Sequence, residues 1–394
     1  MLCPLPLAVT LGSPATTFHE LSPCYPWLRL RDGLSQAARA QRSSLPHRGD
    51  PGACSRDFHL TAREDRPFNT SLPNVTIFAT GGTIAGSAAS SDQTTGYRAG
   101  ALGVDILIDA VPQLWNVSNV KGVQIANVWS PSITPEILLN LSQQVQQELD
   151  NLYCAGVVIT HGTDTLEESS FFLDLTIRSE KPVVFVGAMR PATTISADGP
   201  INLLEAVTLA ADPMSRGRGT MIVLSDRISS AYFTTKTDAN SLDTFQAREQ
   251  GFLGFFINIK PKFYNTPSLP LGKPYFDVMN TTSLPEVDIL YGHQALNPAL
   301  AEAAVNSGAK GLVLAGMGAG AWTEPGSEVI QNLVETHGIA VVSSRRPADG
   351  YVAPHSFVYG GGFLNPQKAR IMLQLALNAG YEEARLRTLF EYYA

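Results

Sequence analysis

From residue 74 onward the chain breaks into short, unbroken apolar runs, each closed by a glycine-rich or polar turn. The run 75–79 opens into Thr80-Gly-Gly-Thr-Ile-Ala-Gly86, and the run 157–160 opens into His161-Gly-Thr-Asp-Thr165. Residues 183–186 lead into Gly187-Ala-Met-Arg-Pro191, and 221–224 end at Ser225-Asp226. Runs rich in β-branched residues and lacking polar alternation belong to strands covered on both faces, which predicts a parallel sheet. Helical spacing fills the gaps. Thr134-Pro135-Glu136 combines an N-cap, a proline at the first helical position and an early acid. Ile137, Leu141, Val145, Leu149 and Leu152 then recur at helical period. Further helices are predicted over 165–177 and 202–211. The alternation predicts an α/β fold whose larger N-terminal domain is doubly wound around a mostly parallel sheet.

Residues 1–72 show neither period. They scatter Pro, Arg, Ser and His, and read as a poorly structured extension. Segment 2–9 is apolar but interrupted by two prolines, with no basic residue before it, so it makes a poor secretory signal. The larger α/β domain is expected over 73–264. A stretch rich in proline, Asn265-Thr-Pro-Ser-Leu-Pro-Leu-Gly-Lys-Pro274, marks a linker over 265–285. Strand-helix alternation resumes over 286–394, with runs at 312–315 and 340–343 and a helix over 365–379. That gives a smaller C-terminal α/β domain.

Composition narrows the function. The 394 residues are 44% hydrophobic, enough to fill the cores of two domains. Charged residues make up 16% and the net charge is -7, which argues against a nucleic-acid partner, since phosphate binding needs clustered Lys and Arg. No apolar run approaches the ~20 residues of a membrane span, so no membrane partner is expected. The cysteines at 3, 24, 54 and 154 show no C-x-x-C or Cys/His spacing, and no metal is expected.

In open α/β sheets, ligands bind outside the carboxyl ends of the strands. That rule groups Thr83, Ser130, Thr163, Asp164 and the Gly187-Ala188 turn into one candidate site. The glycines before Thr83 allow close backbone approach, although an ordinary strand-to-loop turn would use them equally well. Their spacing fits neither the dinucleotide nor the P-loop pattern. Thr163, Asp164 and Thr165 place a hydroxyl, a carboxylate and a hydroxyl at a helix start, where free N–H groups favour a developing oxyanion. Helix capping would explain one of the three. Lys236 can act on a threonine only if burial or neighbouring charge lowers its pKa, and most lysines are solvated surface groups.

The stretch 72–392 resembles the bacterial-type L-asparaginases, and among them the secreted type II enzymes. Two motifs lead the resemblance: Ala79-Thr-Gly-Gly-Thr-Ile-Ala-Gly86 and Val158-Ile-Thr-His-Gly-Thr-Asp-Thr-Leu-Glu167. Lys181-Pro-Val-Val-Phe-Val-Gly-Ala-Met-Arg-Pro191, Ser196-Ala-Asp-Gly-Pro200 and Leu364-Asn-Pro-Gln-Lys-Ala-Arg370 support it, in the family's order. The resemblance implies hydrolysis of L-asparagine to L-aspartate and ammonia through a threonine acyl-enzyme, with no cofactor. It assigns Thr83 as nucleophile and Tyr97 to the mobile loop that closes beside it. Thr163 is the second catalytic threonine, working with Lys236 and Asp164. Ser130 and Asp164 would hold the α-carboxylate and α-ammonium, and the Ala188 carbonyl would accept from the amide nitrogen. A homotetramer with sites at a dimer interface is implied as well.

The chain departs from the family pattern at named places. Pro131 replaces a glutamine that follows the substrate-binding serine, Ala295 aligns with an intersubunit asparagine, and the region 351–358 is shortened. The family's disulfide has no counterpart, because the position opposite Cys154 falls near Ser179. Sequons at Asn69, Asn74, Asn116, Asn140 and Asn280 lean towards a secreted or cell-wall location and glycosylation, while the weak leader leaves a cytoplasmic one open. Alternatives of function are a dual glutaminase-asparaginase, a transfer-RNA amidotransferase subunit, and a non-catalytic binder of small amino acids on the same fold.

Overall fold

The first strand, β1 (Asn74–Gly81), carries Val75, Ile77 and Ala79 on one face and Phe78 on the other, and all four are buried. That double burial explains the unbroken apolar run. The computed structural model describes residues 68–93, 96 and 98–392, which belong to one unit spanning 65–394. After β1 come α1 (Val104–Asp109), β2 (Asn119–Val128), α2 (Pro135–Asp150), β3 (Cys154–Thr160) and α3 (Leu166–Thr176). Next are β4 (Val183–Val186), α4 (Gly199–Ala211), β5 (Thr220–Leu224) and β6 (Arg227–Ser230). A two-stranded ribbon, β7 (Thr235–Lys236) with β8 (Phe245–Gln246), precedes the hairpin β9 (Gly254–Ile257) and β10 (Lys260–Phe263).

The larger sheet has eight strands in the order β10-β9-β6-β5-β4-β3-β1-β2. From β5 through β2 every pairing is parallel, whereas β6, β9 and β10 join antiparallel. The expected strands at 75–79, 157–160, 183–186 and 221–224 form the centre of this sheet. Their side chains alternate between two cores. Val157, Ile159, Phe185 and Ile222 face α2 and α3, while Val158, Val184, Val186 and Val223 face α4 and α1. Helices on both faces make the sheet doubly wound. One end of it is the Lys260-Pro261-Lys262 run of β10, with both lysines exposed.

The chain continues through β11 (Val287–Tyr291), α5 (Ala299–Ser307), β12 (Gly311–Gly316), α6 (Glu324–His337), β13 (Ala340–Arg345), β14 (Tyr359–Gly360), α7 (Pro366–Asn378) and α8 (Glu383–Tyr392). The second sheet, β11-β12-β13-β14, is parallel throughout. Its core on one side, with Val313, Val342 and the buried face of α7, runs into the core beneath α2 and α3. The linker stretch is anchored rather than loose: Phe276 is buried and donates its N–H to the Leu175 carbonyl at 2.8 Å. Lys273 pairs with the buried Asp174 carboxylate at 2.7 Å.

Two expectations shift. Leu152 falls beyond α2 and is 92% exposed, so it is not part of the helix's apolar stripe. The helix expected from 202 begins at Gly199, with Pro200 in its first turn. Most of the N-terminal extension, 1–67, lies outside the described residues, and Asn69 is tied to the start of β2 by hydrogen bonds with Asn119. Among the described residues, no helix is long and apolar enough to cross a membrane.

Candidate active site

Strand β1 is bent where it leaves the sheet. Its register against β2 slips between Ala79 and Gly81, a bulge of the kind that re-aims a chain. Gly81 and Gly82 then take φ of +105° and +82°, values that β-carbons oppose. Space forbids them too. A β-carbon on Gly82 would stand 2.3 Å from the Gly162 Cα, so the loop after β1 and the loop after β3 meet backbone to backbone. Thr83 follows directly, buried at the start of a single 3-10 turn, Thr83–Ala85.

Gly162 serves a second contact. A β-carbon there would lie 2.8 Å from the Ser130 Cβ and Oγ, so the turn after β2 also closes on this point. Three strand ends therefore converge. The Ser130 hydroxyl is buried, with no hydrogen-bond partner among the described residues. Thr165 donates to the Ser130 carbonyl at 2.9 Å and its side chain does not cap α3. His161, just before Gly162, is fully buried, and that burial pulls its pKa down to about 4, so its imidazole is neutral at neutral pH.

Lys236 reaches this point from the β7–β8 ribbon. Its ammonium donates to Thr163 Oγ1 at 3.0 Å and to Asp164 Oδ1 at 2.7 Å. The side chain is 13% exposed against 49% for Asp164, so Lys236 is not a solvated surface lysine. Capping, the simple alternative for residues 163–165, is not how these side chains are used. The three groups open on a cavity of about 730 Å³, lined further by Trp129, Met189 and Arg190. Thr83, Ser130 and Ala188 are buried and do not line it. Tyr97 lies outside the described residues.

The loop after β4 is held from α4. Asp198 accepts the N–H groups of Met189 and Arg190, each at 2.9 Å, and Asn202 donates to the Gly187 carbonyl at 3.1 Å. Ala188, between these anchors, is fully buried. Sequence reasoning gave Asp198 and Asn202 no role, although the Ser196-Ala-Asp-Gly-Pro200 string was visible. Among the described residues, no group of three or more His, Cys, Asp or Glu could hold a metal ion.

Comparison with known proteins gives the family. Residues 74–269 match the family description "Asparaginase, N-terminal", and 286–390 match "Glutaminase/Asparaginase C-terminal domain". The chain is 56% identical over 326 residues to "Probable L-asparaginase 1" of Schizosaccharomyces pombe, covering 82% of this chain and 90% of that one. It is 52% identical over 338 residues to "L-asparaginase 2-3" of Saccharomyces cerevisiae, covering 84% and 92%. A crystal structure titled as a probable cytoplasmic L-asparaginase from Campylobacter jejuni superposes with a TM-score of 0.78 at 42% identity, over 82% of this chain and all of that one. With two family descriptions spanning most of its length and relatives above half identity, the chain belongs to the asparaginase family.

Proposed function

We propose that the chain hydrolyses L-asparagine to L-aspartate and ammonia through an acyl-enzyme on Thr83. The observation that carries this reading is the Lys236 ammonium hydrogen-bonded to both Thr163 and Asp164, on the loop that packs against the Thr83 turn. A threonine hydroxyl is a weak nucleophile and needs a proton acceptor. In the reactive form Lys236 is the neutral amine, one N–H donating to Asp164 while its lone pair faces Thr163 Oγ1, and Thr163 takes the Thr83 proton as it passes its own to that amine. The resulting ammonium returns a proton to the leaving nitrogen, and Asp164 keeps the lysine in register. Backbone N–H groups of Thr83 and Thr163 stabilise the tetrahedral oxyanion, each such donor being worth about 3 kcal/mol. Ser130 and Asp164 hold the substrate's α-carboxylate and α-ammonium, the Ala188 carbonyl accepts from the amide nitrogen, and Tyr97 closes the site. Water then releases aspartate from Thr83.

The test is ammonia release from L-asparagine by the full chain and by Thr83→Ala and Lys236→Met. Both variants lose activity on this reading, and full activity in Thr83→Ala removes the nucleophile assignment. A dual glutaminase-asparaginase is the second reading, favoured by the match of residues 286–390 to the description "Glutaminase/Asparaginase C-terminal domain". Comparing kcat/KM on asparagine and glutamine decides between them.

The same reading includes domains at 73–264 and 286–394, which the limits of the two family matches support. It includes a homotetramer, testable by light scattering, and a secretory route with glycosylated sequons, testable by sequencing the mature N-terminus. Of the sequons, Asn74 is engaged by the Tyr153 carbonyl at 3.0 Å, whereas Asn140 is exposed on α2.

A further inference from the structure

Strand β7, which carries Lys236, is two residues long and belongs to neither large sheet. Sheet pairing alone cannot fix the lysine's height over Thr163. The chain leading into it, residues 231–234, is gathered instead by one buried ammonium. Lys368 Nζ, on α7, donates to the carbonyls of Ala231 at 2.7 Å, Tyr232 at 2.9 Å and Thr234 at 2.6 Å. Asn365, the N-cap of that helix, donates its amide to Thr235 Oγ1 at 3.2 Å and to Glu167 Oε2 at 3.1 Å. Glu167 lies three residues after Asp164, and its carboxylate also takes hydrogen bonds from Thr235 and from Gln367. The contacts close a ring: Asp164 and Glu167 on one segment, Asn365 and Lys368 on the next, Thr235 and Lys236 on the third.

We propose that Glu167, Asn365 and Lys368 are positioning residues for Lys236, locking β7 to the start of α3 so that the ammonium meets Thr163 and Asp164. Glu167 and Lys368 are 4% and 2% exposed, and burying charged groups is a poor source of stability. Burial pushes the Glu167 carboxyl above its ordinary range and pulls Lys368 down to about 8, each charge opposing the other's shift. An apolar pair would fill the space without that cost but could not collect three carbonyls. The charges are explained by what they hold.

The inference rests on the amidohydrolase reading, and its test separates the two. Glu167→Gln keeps shape and removes the charge. Asn365→Ser keeps an N-cap acceptor and removes the amide donor. Thr235→Val is isosteric at a half-buried position, and carries the test should the other two fail to fold. Measured on L-asparagine, kcat falls ten- to a hundredfold, while the Kd for L-aspartate by calorimetry stays within threefold. A purely structural role lowers the melting temperature and leaves kcat per folded molecule at the wild-type value, and that result overturns the proposal. A loss of aspartate binding as large as the loss of kcat, meaning general collapse of the site, overturns it too. Wild-type turnover in Lys236→Met removes the underlying reading and this inference with it. An inactive Lys236→Met beside fully active Glu167, Asn365 and Thr235 variants removes only the inference.

Discussion

Gly82 and Gly162 touch through their backbones: a β-carbon on the first would sit 2.3 Å from the Cα and N of the second. The close approach of the Thr83 and Thr163 loops depends on the absence of two side chains. A methyl on Gly82 must therefore push the loops apart, and at a φ of +82° it also adds about 1–2 kcal/mol of backbone strain. Gly82→Ala is expected to lose more than a hundredfold in kcat while far-ultraviolet circular dichroism stays native, because Gly82 lies just beyond the end of β1. Wild-type kcat in a folded Gly82→Ala protein contradicts this view of the site.

Ser130 gives a prediction in which stability and activity part company. Its hydroxyl is buried with no partner among the described residues, and an unsatisfied hydroxyl costs roughly 1–3 kcal/mol. Ser130→Ala should raise the melting temperature and, at the same time, raise KM for asparagine at least tenfold with a smaller change in kcat. A variant with lower stability and unchanged KM would show that the hydroxyl serves the fold and not the substrate.

Asp198 is expected to matter through the loop it holds. It accepts two backbone N–H groups, from Met189 and Arg190, and hydrogen bonds to a charged group contribute about 1.5–3 kcal/mol. Asp198→Ala should lower the denaturation midpoint and reduce kcat/KM together, since Ala188 is carried by the same turn. Unchanged kinetics in the destabilised variant would separate Ala188 from the reaction.

Glu205, buried on α4, sets a pH dependence of stability. Burial first, and then the Asp226 carboxylate, push its pKa up to about 8 from an ordinary 4.5. Between those values the folded protein keeps a proton that the unfolded chain releases, so stability falls as pH rises. The contribution is complete below about 4.5 and is lost as pH passes through about 8. Melting temperatures measured from pH 5 to pH 9 should decline, and Glu205→Gln should flatten that decline. His161 acts in the opposite sense, because its depressed pKa makes the fold lose stability as pH drops from 6.5 towards about 4. If the slope above pH 5 is the same with and without Glu205, this group is not its source.

The parallel centre of the larger sheet was legible because doubly buried strands leave a continuous apolar run, as in Val183 to Val186. Half-exposed β2 was not, since Lys121, Gln124 and Asn127 interrupt its pattern. The antiparallel strands β6, β9 and β10 are four residues each, too short to show a period. Among the site residues, Thr83, Thr163 and Asp164 could be placed at strand ends by topology alone. Lys236 could not, because its burial depends on a ribbon of two residues and on α7, more than a hundred positions away. Glu167 was hidden for the same reason. An acid in the first turn of a helix looks like dipole compensation until the fold buries it.

Among the structural details, the Lys-Pro-Lys run of β10 at one margin of the larger sheet has a consequence for how copies of this chain can meet. Proline removes a backbone donor there, and the two flanking ammonium groups repel a second basic strand, so strand-to-strand addition at that margin is disfavoured. Growth of the sheet from molecule to molecule, the first step towards fibrils, is blunted on that side by three residues that take no part in chemistry.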